Sequence, residues 1–381
     1  MDEARARNTA ARLRRLGSCI VALLAWSAPS TARAEETAER GEPRDPPCPP
    51  SVERRLLAGG AAIVPGILVH GAGHYALCET TTAQRLALIE GVGVASAVGS
   101  GVGLALTGAS RYVVAPLALG AIAGVGTFGL TLLADVYGIA ATGSTPGAAT
   151  PPPRLALETG LRAVHDRHFD GSWFASHGFG LDLGAVQLAP RLDLALDAPV
   201  YRYALSGAYR LIGARPGDAA THGDALELGL TLWDVAYSKE GFASTTLDLF
   251  VAGRLDLARI GPTLRGSFVD GLAGYARQWT RFDGLPGDAT DELLARFAFG
   301  IYLGGSGGFS GESWVAYDHR RDTFAGGLLL PGIPAGYMGY VEQRSELFFG
   351  GPFGVATELS YGSAFVASVY FLARIDEEHR P

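Results

Sequence analysis

Leu192-Asp193-Leu194-Ala195-Leu196-Asp197 alternates apolar and acidic residues, and Arg191 precedes it. Successive side chains of a strand point to opposite faces. Read as a strand, the segment therefore places Arg191, Asp193 and Asp197 on one face and the leucines on the other, whereas a helix would scatter the charges around its circumference. The same two-residue period returns with Asp248, Arg254 and Asp256, and with Glu342, Arg344 and Glu346. Turn signals divide the region: Asp170-Gly171, Gly217-Asp218, Lys239-Glu240-Gly241, Asp283-Gly284, the run Gly304 to Gly308, Pro331-Gly332 and Gly350-Gly351-Pro352. Between such signals lie about 12 strands, or alternatively ten, each of roughly ten or more residues, the length a tilted membrane strand needs.

Aromatic residues near the segment ends suit the interfacial girdles of a membrane barrel: Tyr201, Tyr203, Trp233, Tyr237, Tyr275, Trp279, Trp314, Tyr317, Tyr337, Tyr340, Tyr370 and Phe371. Alternation by itself does not say which face is inside, because a water-soluble barrel or sandwich alternates with the faces exchanged. Strand length, sparse charge and the N-terminal signal described below favour the membrane reading. Residues 154–374 thus resemble an outer-membrane β-barrel of a Gram-negative bacterium. The resemblance rests on general pattern, with no family motif. It implies an antiparallel barrel over residues 154–376, contact with outer-membrane lipid and insertion by the outer-membrane assembly machinery. One feature departs from it: such barrels usually end on an aromatic residue, whereas this chain continues past Tyr370-Phe371 through Ile375-Asp376-Glu377-Glu378-His379.

The N-terminus carries the three parts of a cleavable secretory signal in order. Arg5, Arg7, Arg12, Arg14 and Arg15 form the basic start, Leu16 to Ala28 is apolar, and Ala32-Arg33-Ala34 marks a cut before Glu35. Residues 1–34 are read as that signal, with export to the outer membrane as the expected destination. Residues 35–53 are charged and Pro-rich, a spacer without periodicity. Cleavage removes Cys19 and leaves Cys48 and Cys78, which in an oxidising compartment pair or stay as two thiols.

Residues 54–138 form a hydrophobic helical module of about three helices, with apolar segments Leu56 to Cys78, Leu86 to Thr107 and Tyr112 to Ala134. Each is long enough to cross a bilayer. Three crossings after a cleaved signal would, however, deliver the barrel region to the wrong side of the inner membrane. The segments are therefore read as a module packed on itself or on the barrel, with inner-membrane spans as the alternative. Gly91, Ala95, Gly99 and Gly103, and again Gly120 and Gly124, are spaced for close helix contact. Glu90 and Asp135, costly in lipid, are assigned to the polar core of the module. A Gly/Ala/Thr/Pro linker, residues 139–153, leads to the barrel, and 377–381 are a tail.

Composition excludes some classes. Charged residues are 18% of the chain and the net charge is −7 with both signs scattered, so there is no basic stripe for nucleic acid. Lys239 is the only lysine. A phosphate loop that needs one beside Gly91-Val92-Gly93 is therefore excluded. No cofactor is indicated.

Three functional readings follow. In the first, the barrel is a pore, transport route or envelope scaffold. Arg191, Asp193, Asp197, Asp248, Arg254, Asp256, Glu342, Arg344 and Glu346 then line the lumen, and the helical module caps or plugs one end. In the second, a lipid hydrolase uses a hydroxyl paired with His165, His168, His177, His222 or His319. The mature chain lacks asparagine, which excludes a Ser-His-Asn version, and no motif makes the chain an enzyme. In the third, His70 and His74, four apart in His70-Gly71-Ala72-Gly73-His74, hold a metal with Glu79, Glu90 or Asp135. Gly71 stands where a zinc hydrolase of the HExxH type needs Glu, so that chemistry is excluded. The competing reading has both imidazoles hydrogen-bonded to Glu90, Asp135 or backbone. The substrate or cargo is not encoded in any motif.

Overall fold

A computed structural model describes residues 51–375, apart from 109, 111, 142–145, 167–171, 219–222, 238–240, 305–307, 321–323 and 325–338. The signal, most of the spacer, Cys48, His168, His222 and Tyr337 lie outside the described residues.

Twelve antiparallel strands close into a barrel, each paired with its neighbours in sequence, and the last returns to the first. They are β1 (Leu155–Asp166), β2 (Ser172–Asp182), β3 (Val186–Ala195), β4 (Val200–Ile212), β5 (Ala225–Tyr237) and β6 (Phe242–Asp256). The second half comprises β7 (Ser267–Phe282), β8 (Asp288–Gly304), β9 (Ser310–Asp318), β10 (Tyr340–Phe348), β11 (Phe353–Tyr361) and β12 (Ala364–Ile375). Closure runs in unbroken register from Leu155 opposite Ile375 to Asp166 opposite Ala364. Closing the sheet leaves no edge with unpaired backbone donors. Gly160 makes the seam possible, since a Cβ there would lie 2.7 Å from the Tyr370 ring that crosses it. The start of β1 and the end of β12 share one rim, here the terminal rim, with the β2–β3, β4–β5, β6–β7, β8–β9 and β10–β11 connections. The other connections form the distal rim.

The faces run opposite to those of a soluble barrel. Leu157, Leu161, Trp173, Leu194, Leu249, Tyr275, Leu359 and Phe371 stand exposed on the outer wall, while Arg162, Asp193, Asp248 and Tyr370 are buried inside. An apolar outer belt with a polar interior is the arrangement a barrel in lipid requires. Of the aromatics expected in the girdles, Trp233, Trp314, Tyr340 and Tyr370 instead point inward, onto polar partners or into the interior. Each occupies the inward parity of its strand, which proximity to a segment end does not reveal.

Among the described residues four helices precede the barrel: α1 (Val52–Ile63), α2 (Ala72–Ala76), α3 (Thr80–Leu106) and α4 (Val114–Ala140). The first apolar segment is broken, as Pro65-Gly66 and the glycines around Ala72 dictate. Gly71 opens α2 with φ 89°, a conformation that favours glycine. Two helices, α3 and α4, are long and apolar enough to cross a membrane by length and composition. They pair along a seam of small residues: a Cβ on Gly124 would come within 2.5 Å of the Ala97 amide nitrogen, and Ser96 Oγ donates to the Gly120 carbonyl at 2.9 Å. Gly103 lies in this seam against Leu117, but Gly91 and Gly99 face open space. The contact row on α3 is Gly93, Ala97, Ser100 and Gly103, offset from the four-residue spacing read from sequence.

No residue of the described helices lines the interior cavity. α4 packs on the outer wall, where Phe297 would meet a Cβ on Gly126 at 2.7 Å and Leu86, Ala134, Leu257, Leu264 and Phe299 form a cluster with Leu130 and Tyr137. Phe297 and Phe299 alternate with the inward-facing Arg296 and Ala298, so parity sets them outside. What reaches the terminal mouth is the linker: Ala149, Thr150 and Pro151 to Pro153 line the interior cavity.

Gly124→Val should therefore force α3 and α4 apart and destabilise the pair by about 1–3 kcal/mol, while Gly99→Val, on the open face, should not. Thermal loss of helical circular dichroism in detergent, compared between the two variants, measures the difference.

Candidate functional site: the charged lumen and the polar base of the helices

Inside the barrel, charge is compensated within strands, between neighbours and also across strands that are not neighbours. Arg162 on β1 reaches Asp193 on β3 (3.1 Å) and Glu358 on β11 (3.1 Å), and donates to Tyr370 Oη (2.8 Å) and Ser368 Oγ (3.2 Å). Arg344 on β10 binds Glu346 (2.7 Å), Glu358 (3.2 Å) and, across the two intervening strands, Glu158 on β1 (2.5 Å). Arg191 approaches Glu158 at 3.3 Å. On the other side of the interior, Arg254 forms a fork with Asp270 (2.8 and 3.0 Å) and crosses to Glu312 on β9 (2.8 Å). Arg296 holds Glu342 at 2.8 Å and Arg210 holds Asp182 at 2.7 Å. A buried charge without a partner is costly, so the interior carries its arginines and carboxylates as mutually dependent sets.

Aromatic rings share this work. Arg202 lies 4.1 Å from the Trp233 ring centroid, Arg296 4.4 Å from Trp314 and Arg254 3.9 Å from Phe268. Trp233 Nε1 and Arg320 both donate to Asp248. Between these groups and the terminal rim lies a cavity of about 800 Å³, lined by Glu158, Arg191, Arg254, Tyr302, Glu312 and Arg344 among others. Toward the distal rim it gives way to the Arg162, Asp193, Glu358 and Tyr370 layer. Phe324 stands there against Phe174, with ring centroids 4.8 Å apart, and close to Arg162 and Arg202.

Of the residues expected to line the lumen, Arg191, Asp193, Asp248, Arg254, Glu342, Arg344 and Glu346 project inward. Asp256 is the last residue of β6, at the terminal rim, and caps the short helical turn 257–259, accepting the Ala258 amide at 2.9 Å. Asp197, read as part of the same face as Asp193, instead lies exposed in the turn between β3 and β4, because the strand ends at Ala195. Sequence reasoning missed Glu158, Arg162, Arg296, Glu312 and Glu358. Glu158 and Arg162, four apart on one strand face, carried the two-residue signal, but the glycine between them conceals it.

A second polar cluster lies at the base of the helices. His70 and His74 are fully buried, with Asp135, Glu90 and Thr131 around them. Asp135 accepts the Gly71 amide at 2.9 Å and faces His74 Nδ1 at 2.6 Å. Glu90 accepts the His70 amide at 2.8 Å, and His70 Nδ1 lies 2.6 Å from Thr131 Oγ1. Thr131 in turn donates to backbone carbonyls of its own helix. A carboxylate only accepts, and the threonine hydroxyl hydrogen is committed to the helix, so both imidazoles carry their proton on Nδ1. Burial pulls the His70 imidazole below its ordinary value, against the opposing charges of Glu90 and Asp135. No set of three potential metal ligands occurs among the described residues. Cys78 is disulfide-bonded, and the expected pairing with Cys48 lies outside the described residues.

Among the described residues a threonine hydroxyl pairs with a histidine from the hydrolase set: Thr159 Oγ1 lies 2.9 Å from His177 Nδ1, across β1 and β2 on the outer wall. His319 Nδ1 contacts the Tyr317 hydroxyl at 2.8 Å, and His165 is exposed near the end of β1. No described carboxylate orients His177.

No protein family and no characterised protein matches the sequence. Among solved structures the barrel is similar to a KdgM porin (TM-score 0.34, 8% identity, covering 57% of this chain and 99% of that one). It is also similar to the translocator domain of the autotransporter NalP from Neisseria meningitidis (TM-score 0.31, 11% identity, 59% and 90%). A third similarity is to a TodX monoaromatic hydrocarbon channel variant (TM-score 0.29, 11% identity, 62% and 94%). At these identities and scores the likeness concerns the barrel alone.

Arg162→Met should destabilise the barrel by about 3 kcal/mol or more, because Asp193 and Glu358 are left buried and undercompensated. Combining it with Asp193→Leu should recover part of the loss. Denaturant titration of the folded barrel, followed by tryptophan fluorescence, tests this non-additivity. Asp135→Ala, which strands the Gly71 and His74 donors, should lower the stability of the helical module by about 1–3 kcal/mol, read from its helical dichroism.

Proposed function

We propose that the chain is an outer-membrane barrel that admits small polar solutes to its interior, a conduit of narrow bore. The observation that carries this reading is the pairing of an exposed apolar outer wall with an interior cavity of about 800 Å³ walled by compensated charges. Such a wall offers donors and acceptors of both signs to a solute, and its near balance disfavours strong selection of one charge. The Arg162 set bridging β1, β3 and β11 lies beyond the cavity and the Arg344 set borders it, so passage depends on rearrangement of both. An export signal at residues 1–34 and delivery by the outer-membrane assembly machinery belong to the same proposal. The linker residues Ala149 to Pro153, which line the cavity at the terminal mouth, stand closer to the position of a stopper than the described helices do.

Vesicles carrying the purified full chain test the reading. The expected result is slow uptake of small uncharged or zwitterionic solutes, increased several-fold by Arg344→Ala, with larger sugars excluded. Correctly folded protein that leaves vesicles impermeable in both forms would leave a scaffold role and remove the conduit.

A further inference from the structure

The outer face of the helical pair is apolar and uncovered. Leu88, Val92, Val98, Val102 and Leu106 on α3 are exposed by 51–82%, and Val125 on α4 by 66%. In water, a face of this kind on two adjacent helices would be a large unmatched patch. Both helices have 27 residues. At 1.5 Å per residue that gives about 40 Å, against a hydrocarbon core of about 30 Å.

Charge is distributed along the pair as a bilayer would require. Arg85 and Glu90 fall in the first turns of α3 and Asp135 in the last turns of α4, all at the end that adjoins the terminal rim. From Gly91 to Leu106 and from Val114 to Ala134 neither helix has a charged residue. Arg85 donates to the Ile260 carbonyl at 2.9 Å and Tyr137 to the Arg265 carbonyl at 3.1 Å, tying this end to the β6–β7 connection. The polar cluster of His70, His74 and Asp135 lies at the same end. The polar groups farther along bond within the pair, as Ser96 does to Gly120.

The wall on which α4 rests is the barrel's own apolar belt. Phe297, Phe299, Ile301 and Val269 contact the helix side, while Tyr275 and Leu249, on neighbouring strands of the same outer face, remain exposed. Helix face and barrel belt thus form one continuous apolar surface. Because two helices enter and leave at one end, the chain returns to the rim from which β1 starts.

From these observations we infer that α3 and α4 form a helical hairpin embedded in the same bilayer as the barrel, with lipid acyl chains covering its outer face. The inference rests on the reading of the barrel wall as lipid-facing. It assigns the buried histidine and aspartate cluster to the base of the hairpin, where the chain enters the bilayer. Lipid satisfies this surface without desolvation, since the helices present only satisfied backbone and apolar side chains.

Nitroxide labels on single added cysteines test it in the full chain, reconstituted in phosphatidylcholine vesicles under non-reducing conditions, with the unsubstituted chain as blank. Val98→Cys and Val125→Cys probe the hairpin, Leu249→Cys the barrel belt and Asp218→Cys an exposed turn. Collision with oxygen relative to a water-soluble nickel chelate should be several-fold higher at 98 and 125 than at 218, and equal to that at 249. A lipid signature at 249 with an aqueous one at 98 and 125 would overturn the hairpin and leave the barrel reading intact. An aqueous signature at 249 would overturn the barrel reading itself. Shielding from both reagents at 98 would mean a protein partner, such as a second copy packing on Gly91, Ala95 and Gly99, and would overturn lipid as the occupant.

Discussion

A charge placed inside this barrel has to be neutralised by another side chain, and most of the partners come from other strands. That constraint organises the molecule. The two-residue period sends every second side chain inward, and once one inward position is ionic its partners are fixed by reach. Arg162 engages β3, β11 and β12 from β1, and Arg344 spans from β10 to β1. These bridges brace the closure seam from within, at the place where the first and last strands meet. The backbone register alone would close the sheet; the ion pairs resist its opening.

The same constraint explains what could be read from sequence. Arg191 and Asp193 were legible because their outward neighbours are leucines, giving clean alternation. Asp197 shares the parity but lies beyond the strand end, and periodicity says nothing about where a strand stops. Trp233, Trp314 and Tyr370 are inward because arginines and carboxylates need ring faces and donors there. An aromatic near a segment end looks the same whether it serves lipid or an arginine. Glu158, Arg162 and Glu358 escaped notice because small or hydroxyl residues adjoin them on the same face, and Glu312 because Trp314 and Ala316 separate it from Asp318. Strand number and the order of domains, by contrast, were set by local turn chemistry and composition.

The placement of the helices was not legible, although a trace of it exists in β8. Leu293-Leu294-Ala295-Arg296-Phe297-Ala298-Phe299-Gly300-Ile301 is apolar on nearly every position, unlike the alternating strands elsewhere. A strand apolar on both faces is covered on both faces. Here the outer cover is α4: Ala295 and Phe299 are buried although their parity is outward. Such a strand identifies the wall that receives another element, but not which element arrives.

The expectation that helices and an exported barrel are incompatible depended on counting three spans. The first apolar segment fails as a span because Pro65 and the left-handed Gly71 break it, and the pieces fold back as α1 and α2 around Asp135. Two long helices remain, and an even number restores the chain to its starting side. Glu90 and Asp135, which argued for burial away from lipid, sit where the broken segment covers them. They are tied to the same backbone that the break exposes: the His70 and Gly71 amides have no helical carbonyl to bond, and the two carboxylates accept them. The acids that seemed to disqualify the helices from lipid are thus the groups that satisfy the non-helical turn at their base.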